Sequence, residues 1–131
     1  MKDMMMEVYD SLILNDIILK NVTKERIKFY EVPESFDTLK PFIIIDTPLG
    51  PPMSSLYASN QELSQEFNYQ INVESSNRLL TKKIAKAVKK VMWEIGFGQL
   101  SGGLDEYFSE TKRFVDARRY RKNTEIFNND Y

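Results

Sequence analysis

Glu66-Phe67-Asn68-Tyr69-Gln70-Ile71-Asn72-Val73-Glu74 alternates without a break between apolar and polar side chains. Phe67, Tyr69, Ile71 and Val73 fall on one side. Glu66, Asn68, Gln70, Asn72 and Glu74 fall on the other. A period of two sustained this long predicts a strand with one buried and one wet face. Ser75-Ser76-Asn77 then offers a helix cap, and the pattern changes to helical spacing. Leu80, Ile84, Ala87, Val88, Val91 and Ile95 form an apolar stripe. Lys82, Lys83, Lys86, Lys89 and Lys90 lie on the opposite arc, and Trp93 falls among them. Gly96 ends the helix, as a residue that tolerates positive φ.

Before this block, residues 3–14 predict a first helix with Met5, Val8, Tyr9 and Leu12 on one face. Asn15-Asp16 caps a short second turn at Ile17-Ile18-Leu19. Arg26-Ile27-Lys28-Phe29-Tyr30-Glu31-Val32 predicts a strand closed by Pro33, and Glu34-Ser35-Phe36-Asp37 a turn. Phe42-Ile43-Ile44-Ile45-Asp46 is apolar on both faces, which predicts a central strand under a covering helix. Residues 47–62 lack a pattern and predict a long loop, which inside a compact domain is usually functional or mobile. Its Leu49, Met53, Leu56 and Tyr57 either fold back on the domain or dock on a partner.

After the long helix, 97–103 reads as a flexible connector. A hairpin follows, with arms at 105–108 and 113–121 and a turn at Ser109-Glu110-Thr111-Lys112. Residues 122–131 form a mostly polar tail. The expected fold is α+β in one domain over 1–131: a small, mainly antiparallel sheet packed by an N-terminal helix and one long amphipathic helix, with a C-terminal β-hairpin.

Composition narrows the chemistry. The chain has 131 residues, with Lys+Arg 18 against Asp+Glu 19 and a net charge of −1. That balance argues against a general nucleic-acid binder, while leaving room for a local basic patch. There is no cysteine and no histidine. Their absence removes thiolate and imidazole metal ligands, cysteine nucleophiles and serine–histidine triads. No phosphate loop or dinucleotide fingerprint is present. The expectation is a non-enzyme without cofactor or metal. No apolar run approaches the ~20 residues that span a bilayer. The acids in Met1-Lys2-Asp3-Met4-Met5-Met6-Glu7 interrupt any signal-like core, so an intracellular protein is expected.

Three groups merit weighing. The lysine arc either meets phosphates or is a solvated face whose later lysines complement the helix dipole. Trp93 either lies between subunits, as tryptophan often does at binding hot spots, or is covered by its own chain. On a strand, Arg113, Arg119 and Arg121 share one face, and Arg118 lies on the other with Phe114, Asp116 and Tyr120. These arginines either pair across the hairpin with Asp105 and Glu106 or form ion-paired protomer contacts.

Set in order, the elements resemble the tail-terminator, or tail-completion, proteins of long-tailed siphovirus-type bacteriophages and prophages, with the Gram-positive branch nearest. The likeness is carried by the helix with Val8, Tyr9 and Leu12, by Ile27–Pro33, by Pro41–Asp46 and by Phe67–Val73. Trp93-Glu94-Ile95-Gly96-Phe97 and Arg118-Arg119-Tyr120-Arg121 complete it. The resemblance implies a structural virion protein that caps the tail tube, stops its elongation and joins the tail to the head connector. It implies a hexameric ring through which DNA passes without sequence recognition, with the tail tube protein and connector proteins as partners and no membrane. The implied location is the host cytoplasm during assembly and then the head-proximal end of the tail. On this reading Leu49, Met53, Leu56 and Tyr57 contact a partner ring. Trp93 or the strand with Arg113, Arg118, Arg119 and Arg121 lies between protomers, and Lys82, Lys83, Lys86, Lys89 and Lys90 are candidates for a lumen or DNA-facing surface. Three alternatives stay open: another head–tail joining protein (adaptor or stopper), a small nucleic-acid-binding module, and a carboxylate enzyme with a divalent ion.

Overall fold

The structure is a computed structural model that describes residues 2–33, 37, 40–48, 50–58, 61–125 and 131, without the side chains of 53, 55–58 and 61–63. Helix α1 spans Met4–Leu12 and buries Met4, Val8 and Leu12. Asp3 caps it by accepting from the amides of Met5 and Met6. Asn15 caps α2, Asp16–Asn21, in the same way. A 3-10 turn at Lys24–Arg26 leads into β1, Ile27–Phe29. Strands β2, Phe42–Asp46, β3, Met53–Ala58, and β4, Gln61–Ser75, follow. Helix α3, Arg78–Glu94, is capped by the Asn77 side chain, which accepts from Leu80 N at 3.0 Å. Strands β5, Gly98–Gln99, β6, Leu104–Phe108, and β7, Arg113–Asn123, close the fold.

The sheet corrects the expected fold class. Among the described residues it has seven strands in the order β1-β2-β4-β7-β5, with β3 added to β4 and β6 to β7. It is mixed, because β1 runs parallel to β2 while the remaining pairs are antiparallel. It is therefore neither small nor the sheet pictured from the sequence, and the short second helical turn expected at Ile17–Leu19 is a helix in its own right, α2. The direction of β1 was not legible because β1 is short and direction depends on the connection. Parallel neighbours need a crossover of about a dozen residues, and the chain between Phe29 and Phe42 supplies it. Its expected turn at Glu34–Asp37 lies, apart from Asp37, outside the described residues. The strand expected over 26–32 shrinks to Ile27–Phe29, because Arg26 belongs to the 3-10 turn and Tyr30 has φ 68.

The expected long loop at 47–62 is also corrected. Half of it is strand: β3 pairs with the first part of β4, with register shifts between Ser54 and Leu56 and between Leu56 and Tyr57. Such bulges insert unpaired residues and destroy the period of two on which a sequence reading depends. The 66–74 strand is correspondingly longer at its start. The connector also holds a strand, β5, paired with β7 through Gly98↔Arg121 and Gln99↔Tyr120.

Register divides the sheet into two faces. Phe67, Tyr69, Ile71 and Val73 share one with Ile43, Ile45 and Tyr120, and this face joins the helices in the main apolar core. Val8, Leu12, Ile18, Ile84, Val88 and Met92 are all at most 1% exposed there. On the far face, β2 presents Phe42 and Ile44 beside Glu74 and Asn72 of β4. Both apolar residues are buried, which explains why β2 reads as apolar on both sides.

The end of the chain is anchored. Thr124 N donates to Gln65 O at 2.8 Å, and Gln65 N donates to Thr124 Oγ1 at 2.9 Å. The Tyr131 hydroxyl donates to Glu7 Oε2 at 2.6 Å, and its ring packs edge-on to Phe67 at 5.5 Å. Among the described residues, no helix is long and apolar enough to cross a membrane.

Candidate functional site

Three arrangements of charge stand out, and each grows from strand parity or helical spacing. The first lies between α3 and the helix face of β7. Asp116 is buried and receives Arg118 Nε at 2.8 Å, Arg118 Nη2 at 3.1 Å and Lys82 Nζ at 2.8 Å. Lys82 also meets Asp105 on β6 at 2.6 Å. Burial alone would push the Asp116 carboxyl up, but the hydrogen bonds from Arg118 and Lys82 outweigh it and hold the group below its ordinary value. Desolvation pulls Lys82 down, and its bonds to Asp105 and Asp116 raise it overall. The Arg118–Asp116 bond likewise raises Arg118. This cluster clamps helix to strand.

The second is a row on the far face. Arg113 sits 3.8 Å from Glu74, Arg119 donates to Gln70 Oε1 at 3.1 Å, and Arg121 stands 3.9 Å from Glu66. The expected parity of the arginines holds, with Arg118 alone on the helix face. The expected partners do not: Asp105 binds Lys82, and the arginines turn to β4 or to Asp116. Arg113 is buried, with its guanidinium 4.6 Å over the Phe42 ring. Burial pushes Glu74 above the ordinary carboxylate range, and Arg113 offsets part of that shift.

The third is the outer surface of α3. Trp93 is 74% exposed. With Lys82, Lys86, Lys89, Lys90, Phe97, Gln99 and Arg118 it lines a groove of about 650 Å³ between α3 and the strands β5 and β7. The helical turn stacks Lys82, Lys86, Lys89 and Trp93 along that wall. Lys83 is exposed but does not line the groove. Among the described residues, Lys86, Lys89 and Lys90 carry no ion pair, whereas Lys82 and Arg118 do.

The expected sites thus separate. Trp93 and most of the lysine arc come together with Arg118. Arg113, Arg119 and Arg121 lie on the opposite face of the sheet. Leu49 lies outside the described residues, and the side chains of Met53, Leu56 and Tyr57 do too. Sequence reasoning missed Asp116 as the centre of a clamp, although its i, i+2 relation to Arg118 places both on one face. It also missed β6 as a surface: Leu104, Tyr107 and Phe108 are 38%, 51% and 40% exposed. Among the described residues, no group of three or more carboxylates is placed to hold a metal ion.

No family model and no curated protein sequence matches the chain. Among solved structures, the chain is similar to one from a particle described as "Virion of native gene transfer agent (GTA) particle". The match has a TM-score of 0.61 at 14% identity and covers 91% of this chain and 90% of that one. At that identity the likeness is one of fold, and it extends over nearly the whole of both chains.

Proposed function

We propose that this chain is a structural protein of a tailed, phage-like virion, and that it caps the head-proximal end of the tail tube. In this role it stops tube elongation and presents a surface to the head connector. It acts as a hexameric ring around passing DNA, with the tube protein and connector proteins as neighbours. The observation that carries the reading is the end-to-end fold match with a chain of a gene transfer agent virion. The order of elements that resembles tail-terminator proteins supports the more specific role. A ring of this kind works through surfaces and is not an enzyme. The chain offers such surfaces in Trp93 and the neighbouring lysines and in the exposed strand β6.

The test is negative-stain microscopy of lysates from a strain lacking the gene. Overlong tail tubes detached from filled heads are expected. Tails of normal length without heads would move the protein to an adaptor or stopper position. Normal virions would sink the structural role.

A further inference from the structure

We propose that the groove beside Trp93 is the receptor for the β6–β7 hairpin of a second copy of this chain. The inference rests on the ring reading above and gives that ring its subunit contact.

The two surfaces complement each other in charge and apolarity. The groove offers an exposed indole and three lysines, Lys86, Lys89 and Lys90, that are unpaired among the described residues. The hairpin offers Tyr107 and Phe108, both exposed, together with Glu106 and Glu110, while Asp105 is held by Lys82 of its own chain. Lys112 is the one basic residue between 104 and 112. Along β6 all five residues are exposed, and the strand pairs with β7 on one side. An edge strand carrying aromatic side chains calls for a cover.

The chain's own groove cannot serve its own hairpin tip. The groove lies at the Gln99↔Tyr120 end of β7, whereas the tip lies at the Phe108↔Arg113 end. Seven residues of strand at ~3.3 Å each separate them by roughly 23 Å. Two different, mutually complementary patches on one subunit, the groove and the hairpin tip, can make a heterologous, head-to-tail contact. Repetition of such a contact closes a ring when the rotation allows it.

The absence of native cysteine gives a direct test. Lys89→Cys and Glu106→Cys are introduced singly and together at exposed positions, and tails are purified from lysates of the gene-deleted strain complemented with each variant. Under mild oxidation, the double variant is expected to give a disulfide ladder up to the full ring. Either single variant alone gives monomer. A double variant that stays monomeric on capped, normal-length tails would overturn the contact and leave the capping role standing. Normal tails in the deletion strain itself would instead overturn the capping role. A charge swap provides a second readout. Lys86→Glu/Lys89→Glu/Lys90→Glu is expected to lower the yield of normal-length tails at least tenfold, and adding Glu106→Lys/Glu110→Lys in the same chain to restore most of it. A triple variant that caps tails normally and fails only in DNA delivery would assign the lysines to DNA and overturn the contact.

Discussion

Lys82 and Lys89 stand two turns apart on the same face of α3 and have opposite fates. Lys82 reaches two carboxylates, Asp105 and Asp116, and fixes the helix to the sheet. Lys89 reaches none among the described residues and projects beside an exposed tryptophan. By helical spacing and charge alone the two lysines are equivalent. What separates them is the strand beneath: β7 places Asp116 under the first half of the helix, while at the second half Tyr120 and Gln99 hold the corresponding positions. Charge at the first end is paired within the chain. Charge at the second end is held out.

The paired end is the one whose loss costs most stability. Asp116→Asn is expected to lower unfolding free energy by about 2 kcal/mol near neutral pH, since it removes charge-assisted hydrogen bonds to two half-buried cations, leaving Arg118 without its carboxylate and Lys82 with Asp105 alone. Urea denaturation measures this. The pH dependence sharpens the point. Asp116 has a folded-state value below its ordinary 3.8, so its contribution is complete above that ordinary value. It is lost as pH falls through the depressed folded value. The gap between wild type and Asp116→Asn should therefore narrow in acid. Equal stability at pH 7 would show that the clamp is not a clamp.

Gly103 comes next. Its φ is +106, and a Cβ there would stand 2.2 Å from the carbonyl oxygen of Ala117 on β7. A glycine is required because the backbone enters β6 by crossing this closely over β7. Gly103→Ala is expected to cost about 2 kcal/mol through local strain. It should also speed amide exchange in β6 relative to β4. Unchanged exchange in β6 would mean that the hairpin is not held by this approach, and the hairpin's readiness for a partner would need another basis.

The difference between the two ends of α3 also marks what was legible in the sequence. Periodicity located α3, its apolar stripe and the exposed place of Trp93, because each depends on spacing within one element. It located β2, β7 and the core half of β4 for the same reason. Parity alone put Arg118 opposite Arg113, Arg119 and Arg121. Pairing between elements was out of reach. The partners of the arginines, Glu74, Gln70 and Glu66, follow from the β4–β7 register, which no local pattern encodes. The parallel β1–β2 pair depends on a crossover, and β3 was hidden by its bulges. The groove is a product of helix against strands, so its residues come from α3, β5 and β7 and share no motif.

A smaller effect tests whether the end of the chain belongs with the internally paired groups. The hydroxyl of Tyr131 donates to Glu7 on α1. Tyr131→Phe keeps the ring against Phe67 and removes that bond, at an expected cost of about 1 kcal/mol. A loss measured by thermal unfolding within error of zero would class this contact with the solvent-exposed groups.

The smallest effect on stability should come from the residue argued to matter most in assembly. Trp93 is 74% exposed, so truncating it removes little burial from the isolated chain. Trp93→Ala should change unfolding free energy by no more than about 0.5 kcal/mol, as for surface positions generally. The same variant should sharply reduce capped tails, because a large indole at the centre of a contact is the kind of side chain on which binding energy concentrates. The two readouts must diverge for the comparison to stand. A stability loss of about 2 kcal/mol, the scale of burying a large apolar side chain, would mean that the chain covers its own tryptophan. The second half of α3 would then be tied into the fold like the first, and Lys86, Lys89 and Lys90 would surround a structural residue. Parallel preservation of stability and capping would leave the indole without a partner in the virion.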